Sequence, residues 1–132
     1  MNALLSVSDN RVISRDSPSS TSLAEFLATF ETYLLDRTNY FDPAVRELAV
    51  QALTAGGKRI RPALVHACGG GNLAVSESLT KAAGIVEFVH VATLVHDDVL
   101  DDASIRRDRQ TVYAYRGATA AILLGDALFA HA

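Results

Sequence analysis

Ser76-Glu-Ser-Leu-Thr-Lys-Ala-Ala-Gly-Ile-Val-Glu-Phe-Val-His-Val-Ala-Thr-Leu-Val-His-Asp-Asp-Val-Leu-Asp-Asp102 decides how the rest of this chain reads. The stretch has no proline and one internal glycine, Gly84, and Ala82, Ala83, Val86, Val89 and Thr93 recur along it. Such a run predicts one long, mostly buried helix. Its end carries Asp97, Asp98, Asp101 and Asp102, where the helix dipole disfavours negative charge. Asp97 and Asp101 stand one turn apart on one face, and Asp98 and Asp102 share a neighbouring strip, so each pair repels itself. At about 100° per residue, His90 falls within about 20° of both Asp97 and Asp101, which puts the three on one stripe.

Two readings of the aspartates stay open from this stretch alone. One is an acidic, solvated helix end, because short Asp-Asp-x-x-Asp patterns recur by chance. The other is a magnesium-diphosphate site: divalent cations neutralise paired carboxylates, and Mg²⁺ takes one or two of them while leaving its other positions to water and phosphates. A lone histidine on such a helix is usually a satisfied core residue. The shared stripe instead turns His90 toward the aspartates' cavity as a donor to phosphate oxygen.

Moving outward, Arg106-Arg107 lie five and six residues beyond Asp101 and offer planar guanidinium groups suited to bidentate phosphate contacts. Residues 103–110 are polar and rich in arginine, after which Val112–Tyr115 and Ala118–Ala132 resume helical composition around Gly117 and Gly125. Upstream, Gly56-Gly57-Lys58-Arg59-Ile60-Arg61-Pro62 joins two glycines to three cations before a helix start. It reads either as a diphosphate cradle or as a solvated basic turn. Arg61-Pro62 opens a short helix through Cys68, closed by Gly69-Gly70-Gly71. Asp42-Pro43 starts a further helix that Gly56-Gly57 should end, and Ser22-Leu-Ala-Glu25 is a capping box for the first. Residues 1–20 read as a flexible tail and residues 21–132 as one domain portion. No hairpin or alternating strand is evident, so the class is all-α.

Composition narrows the function. Hydrophobic residues at 49% and charged ones at 20% suit a globular protein. A net charge of -3 with no basic block longer than Arg106-Arg107 argues against nucleic acid as a partner. The single Cys68 can form no internal disulfide, which suits a reducing compartment. The opening residues lack a secretory signal pattern, and Asp9 and Asp16 argue against a transit peptide, so the expected location is cytoplasmic. The apolar stretch Val89–Val95 is interrupted by His90 and stops at Asp97, short of the ~20 residues of a membrane span, and no transmembrane helix is expected.

Taken together, Gly-Gly-Lys-Arg-Ile-Arg-Pro, Glu87-Phe-Val-His90, His96-Asp-Asp-Val-Leu-Asp101 and Arg106-Arg107 resemble, in order and interval, the first half of the trans-prenyl diphosphate synthase family. The resemblance covers about Leu23–Ala132 and takes in Tyr115-Arg-Gly117 and Gly125-Asp126. It implies a helical bundle of the isoprenoid synthase type, here incomplete, and a prenyltransferase that condenses isopentenyl diphosphate with an allylic diphosphate. Lys58, Arg61, His90 and Arg107 would hold isopentenyl diphosphate, and Arg106 would contact the allylic donor. Asp97 and Asp101, with Asp98 nearby, would bind Mg²⁺ on the donor diphosphate. Ala92 and Thr93, just before the aspartates, would set product length, and neither is aromatic, which favours a medium or long polyprenyl product. The resemblance also implies a homodimer at full length.

Two departures matter. The family often follows its paired arginines with glycine, a variable residue and proline, where this chain has Asp108-Arg109-Gln110. The family's second aspartate-rich motif is absent from these residues, and the sequence reaches Ala132 inside a helix-like run. The expectation is therefore a cut piece, inactive alone and prone to associate through uncovered helix faces. The competing readings are a non-catalytic subunit or regulator of a full-length synthase and, last, a terpene cyclase, in which the basic cradle has no obvious use.

Overall fold

The structure, a computed structural model, describes residues 22–69 and 76–132. The tail expected over residues 1–20 and the glycines at 70 and 71 lie outside the described residues. The elements are α1 (Leu23–Arg37), a 3-10 turn (Thr38–Tyr40), α2 (Pro43–Leu53), α3 (Ile60–Cys68), α4 (Glu77–Leu100), β1 (Ile105–Arg106), β2 (Arg109–Gln110), α5 (Val112–Arg116) and α6 (Ala118–His131). The all-α expectation holds, and the two short strands are its exception.

Four of the helices, α1, α2, α4 and α5, start where the sequence supplies a side-chain cap. The backbone N–H of Ser22 donates to the Glu25 carboxylate at 2.8 Å and that of Glu25 returns to Ser22 Oγ at 3.2 Å, a reciprocal arrangement worth about 1 kcal/mol. Phe26, Phe30 and Leu34 then fall on one buried stripe of α1. Asp42 accepts from Ala44 N–H at 2.8 Å, with Pro43 as the first helical residue of α2. Ser76 caps α4 by accepting from Leu79 N–H at 3.1 Å.

α4 is the axis of the bundle. It packs against α1 and α3 on one side and, most extensively, against α6 on the other. Phe88, Val91, Ala92 and Val95 join Phe26, Phe30, Leu34, Phe41, Leu53, Leu124 and Leu128 in one buried cluster. Gly125 of α6 makes the α4–α6 approach possible, because a Cβ there would fall on the imidazole of His96. Ile85, Val86 and Val89 on α4 and Ile122, Leu123 and Phe129 on α6 remain exposed, the uncovered apolar faces that the sequence led us to expect.

Three expectations need correction. α2 ends at Leu53, before the glycine pair, because Thr54 closes it: its N–H and hydroxyl both donate to the Val50 carbonyl, at 2.9 and 2.7 Å. Residues 105–110 form a hairpin, with Ile105 opposite Gln110 and Arg106 opposite Arg109. No local signal announces it, because the two turn residues, Arg107 (φ 52°) and Asp108 (φ 60°), are left-handed positions normally filled by Asn-Gly or Asp-Gly. Finally, Glu77–Leu100 is long and apolar enough to cross a membrane by length and composition. The apolar run is longer than Val89–Val95 because the helix keeps its apolar average across Glu87 and His90. Here α4 is the core helix of the bundle, and Glu87 and Asp98 on it are buried and ion-paired.

Replacing Gly125 with Ala should lower stability by about 1–3 kcal/mol through overpacking against His96. A denaturant midpoint would read this, and adding His96→Ala should recover part of the loss.

Candidate diphosphate and metal site

The end of α4 divides its aspartates between two tasks. Asp98 is 6% exposed and accepts from Arg106 Nε at 2.6 Å, an ion pair between helix and hairpin. Asp97 and Asp101 are exposed, and among the described residues neither has an ion-pair partner. Asp101 caps the helix, its N–H donating to the Asp97 carbonyl at 2.8 Å. Asp102 turns left-handed (φ 51°) and accepts from the Tyr113 hydroxyl, a bond that, with the carboxylate's charge, raises the Tyr113 pKa.

Among the described residues no group of three or more His, Cys, Asp or Glu side chains converges to hold a metal. Two solvated carboxylates one turn apart fit Mg²⁺ on different terms, since that ion takes one or two carboxylates and completes its octahedron with water and substrate phosphate. Asp97 and Asp101 meet that requirement; Asp98, committed to Arg106, does not.

The hairpin folds back over α4. Arg107 donates through Nη1 to the Gly56 carbonyl, joining the hairpin turn to the glycine-rich turn 51 residues upstream. Gly57 suits this approach: its φ of 151° is one that L side chains rarely adopt, and a Cβ there would lie 2.6 Å from Arg107 Nη1. A pocket between them is lined by Gln51, Gly56, His90, Arg106, Arg107 and Arg109, with Val91 and Leu94 forming part of its apolar wall. The structure thus gathers His90, Arg106 and Arg107 at one pocket. Lys58 and Arg61 are exposed beside it and do not line it.

Burial, the Arg61 charge and, more weakly, those of Arg107 and Arg106 push the His90 pKa below its ordinary 6.5, against an opposing pull from Glu87. The imidazole is therefore neutral at pH 7 and surrounded by cations. An anion bound among them would reverse the effect.

Sequence reasoning missed Arg59. It was grouped with Lys58 and Arg61 as a cradle cation, but its left-handed backbone (φ 47°) turns it inward. There it donates to Glu31 at 2.5 and 3.0 Å, to Glu87 at 2.6 Å and to the Leu53 carbonyl at 2.7 Å. Burial opposes its charge, yet the bonds and charges of Glu31 and Glu87 prevail and raise its pKa. The signal lay in Glu87, a carboxylate on a buried face that needed a cation. The product-length positions also separate: Ala92 is fully buried in the core cluster, whereas Thr93 is exposed, one turn before Asp97, its hydroxyl donating to the His90 carbonyl at 2.7 Å.

The molecule is a helical bundle whose longest helix ends in two exposed carboxylates, Asp97 and Asp101, beside a pocket lined by Asp98 and the arginines of the hairpin. The sequence profile of the polyprenyl synthetase family matches residues 42–132, and the chain belongs to that family. It is 40% identical over 114 residues to solanesyl diphosphate synthase 1, chloroplastic, of Arabidopsis thaliana, covering 80% of this chain and 28% of that protein. The fold matches the crystal structure of heptaprenyl diphosphate synthase from Staphylococcus aureus with a TM-score of 0.78 and 32% identity, over 86% of this chain and 36% of that one. It also matches polyprenyl synthase from Caulobacter crescentus, complexed with calcium and isoprenyl diphosphate, with a TM-score of 0.72 and 35% identity, over 89% of this chain and 37% of that one. The chain therefore spans about a third or less of the length of these relatives.

An NMR titration should place the His90 midpoint below 6.5. Arg61→Gln should raise it, and so should inorganic pyrophosphate if the pocket takes a diphosphate. Because the unfolded chain gains this proton at a higher pH than the folded one, the His90 contribution to stability falls as pH drops from 6.5 through the lowered value.

Proposed function

We propose that this chain is the substrate-binding N-terminal portion of a polyprenyl diphosphate synthase, a prenyltransferase joining isopentenyl diphosphate to an allylic diphosphate. The observation that carries the reading is the placement of free Asp97 and Asp101 at the end of α4, with Arg106, Arg107 and His90 gathered at the adjoining pocket. In this reading Arg107, His90, Lys58 and Arg61 hold the diphosphate of isopentenyl diphosphate. Asp97 and Asp101 hold Mg²⁺ on the allylic donor, and Arg106, kept in place by Asp98 through Nε, contacts that donor's diphosphate with its remaining N–H groups. Asp98 then acts through Arg106.

The reaction breaks the allylic carbon–oxygen bond, forms a carbon–carbon bond to the double bond of isopentenyl diphosphate, and releases one proton, lengthening the chain by five carbons. When bound, Mg²⁺ supplies charge stabilisation for the departing diphosphate. Arg106 adds preorganised donors to the same developing charge, and the apolar wall of Val91 and Leu94 limits water at the reacting carbons.

We also propose that these 132 residues by themselves do not turn over substrate. Product length falls to Thr93 more than to Ala92, since Ala92 is enclosed in the core and a larger residue there would overpack it. We read the product as medium or long, the working form as a homodimer, and the location as cytoplasmic.

The test is to express the complete gene and measure transfer of labelled isopentenyl diphosphate to an allylic diphosphate with Mg²⁺. Turnover abolished by Asp97→Ala or by chelation is expected. Binding of both diphosphates without turnover would instead favour a non-catalytic subunit, and no binding would overturn the reading. In an active protein, Thr93→Phe should shorten the products.

A further inference from the structure

Arg59 has no role in the chemistry just described, yet it is the most connected cation in the described structure. Its guanidinium, 10% exposed, meets Glu31 of α1, Glu87 of α4 and the last helical carbonyl of α2. Satisfying that carbonyl complements the negative end of the α2 dipole. The residue itself sits in the left-handed region at φ 47°, which disfavours any side chain with a Cβ. A bulky residue persists there when its surroundings determine it, and three converging acceptors do.

The consequence falls on its neighbours. Gly56 and Gly57 precede it, and the Gly56 carbonyl receives Arg107. Lys58 and Arg61 flank it on the exposed side. Glu87, one of its partners, lies one helical turn before His90 on α4. Arg59 thus ties the turn that seats Arg107 to the helix that presents His90.

We infer that Arg59 is a positioning residue for acceptor binding: by bridging Glu31, Glu87 and the Leu53 carbonyl, it holds the 56–58 turn where Arg107 and His90 meet an incoming diphosphate. This rests on the function proposed above. Lysine keeps the charge but reaches one acceptor at a time, whereas the guanidinium fork serves three.

The experiment uses the protein expressed from its complete gene and compares it with Arg59→Lys. The KM for isopentenyl diphosphate should rise roughly tenfold or more from misplaced binding groups, while the KM for the allylic diphosphate stays within about twofold. Amide hydrogen exchange over residues 54–60 should quicken while the centre of α4 keeps its protection. Glu31→Gln, which removes the more exposed partner, should move both readouts the same way by less, and it serves if Arg59→Lys fails to fold. Unchanged KM values and exchange would overturn the inference, as would equal rises in both KM values with general loss of protection, the mark of a merely structural residue. An unaltered protein that binds neither diphosphate would overturn the functional reading and this one together; normal turnover with an indistinguishable variant overturns only this one.

Discussion

A carboxylate taken out of water must bring a cation with it, and α4 takes two. Glu87 and Asp98 are both buried. They are eleven residues apart, about 20° from eclipsed on a helix, so they form one strip. Each is met by an arginine from outside the helix: Arg59 from the turn before α3, and Arg106 from the hairpin after α4. These pairs seat the two loops on the helix, and the loops meet each other through Arg107 and the Gly56 carbonyl. Removing one member of such a pair leaves the other buried and uncompensated, so the geometry of the pocket is bound to the stability of the bundle.

The loops reach this arrangement through backbone that side chains disfavour. Arg59, Asp102, Arg107 and Asp108 all have positive φ without being glycine. Three of the four have an adjacent restraint: the three acceptors of Arg59, the Tyr113 hydroxyl on Asp102, and the carbonyl that Arg107 donates to. The placement of two of these residues, Arg59 and Arg107, in the lining of one pocket is what a site built against local preference looks like. It also answers the departure from the usual Gly-x-Pro after the paired arginines. The turn forms on Arg107-Asp108 itself, with tertiary contacts standing in for a glycine.

Helix existence was legible because its causes are local. Ser22, Asp42 and Ser76 cap as their neighbours predict, and the periodic stripes of α1 and α4 face the core. The acidic stripe and His90 could be read for the same reason, since helical spacing fixes their relative direction on α4. What could not be read was inward against outward at positions without periodicity. Lys58, Arg59 and Arg61 are equivalent as letters, and only the α1–α4 packing that places Glu31 beside Glu87 distinguishes the middle one. The same holds for Asp98, whose burial depends on a hairpin whose turn residues carry no local turn signal.

The separation of strips on α4 explains how one helix can be both core and site. Relative to the strip of Glu87 and Asp98, the stripe of His90, Asp97 and Asp101 is rotated by roughly 40–100° at helical spacing. That rotation is enough to move a carboxylate from 6% exposed at Asp98 to the exposed surface at its neighbour Asp97. Charges on the first strip are consumed by the fold; those on the second keep their capacity for an outside ion. An aspartate-rich sequence in which every carboxylate found an arginine would be stable and inert, and one in which none did would splay its loops from the helix. Adjacent Asp97 and Asp98 resolve the conflict by dividing it, since consecutive residues point about 100° apart. A doubled aspartate at this position therefore has a physical reason beyond the number of metal ligands: one builds the site and the other remains free to use it.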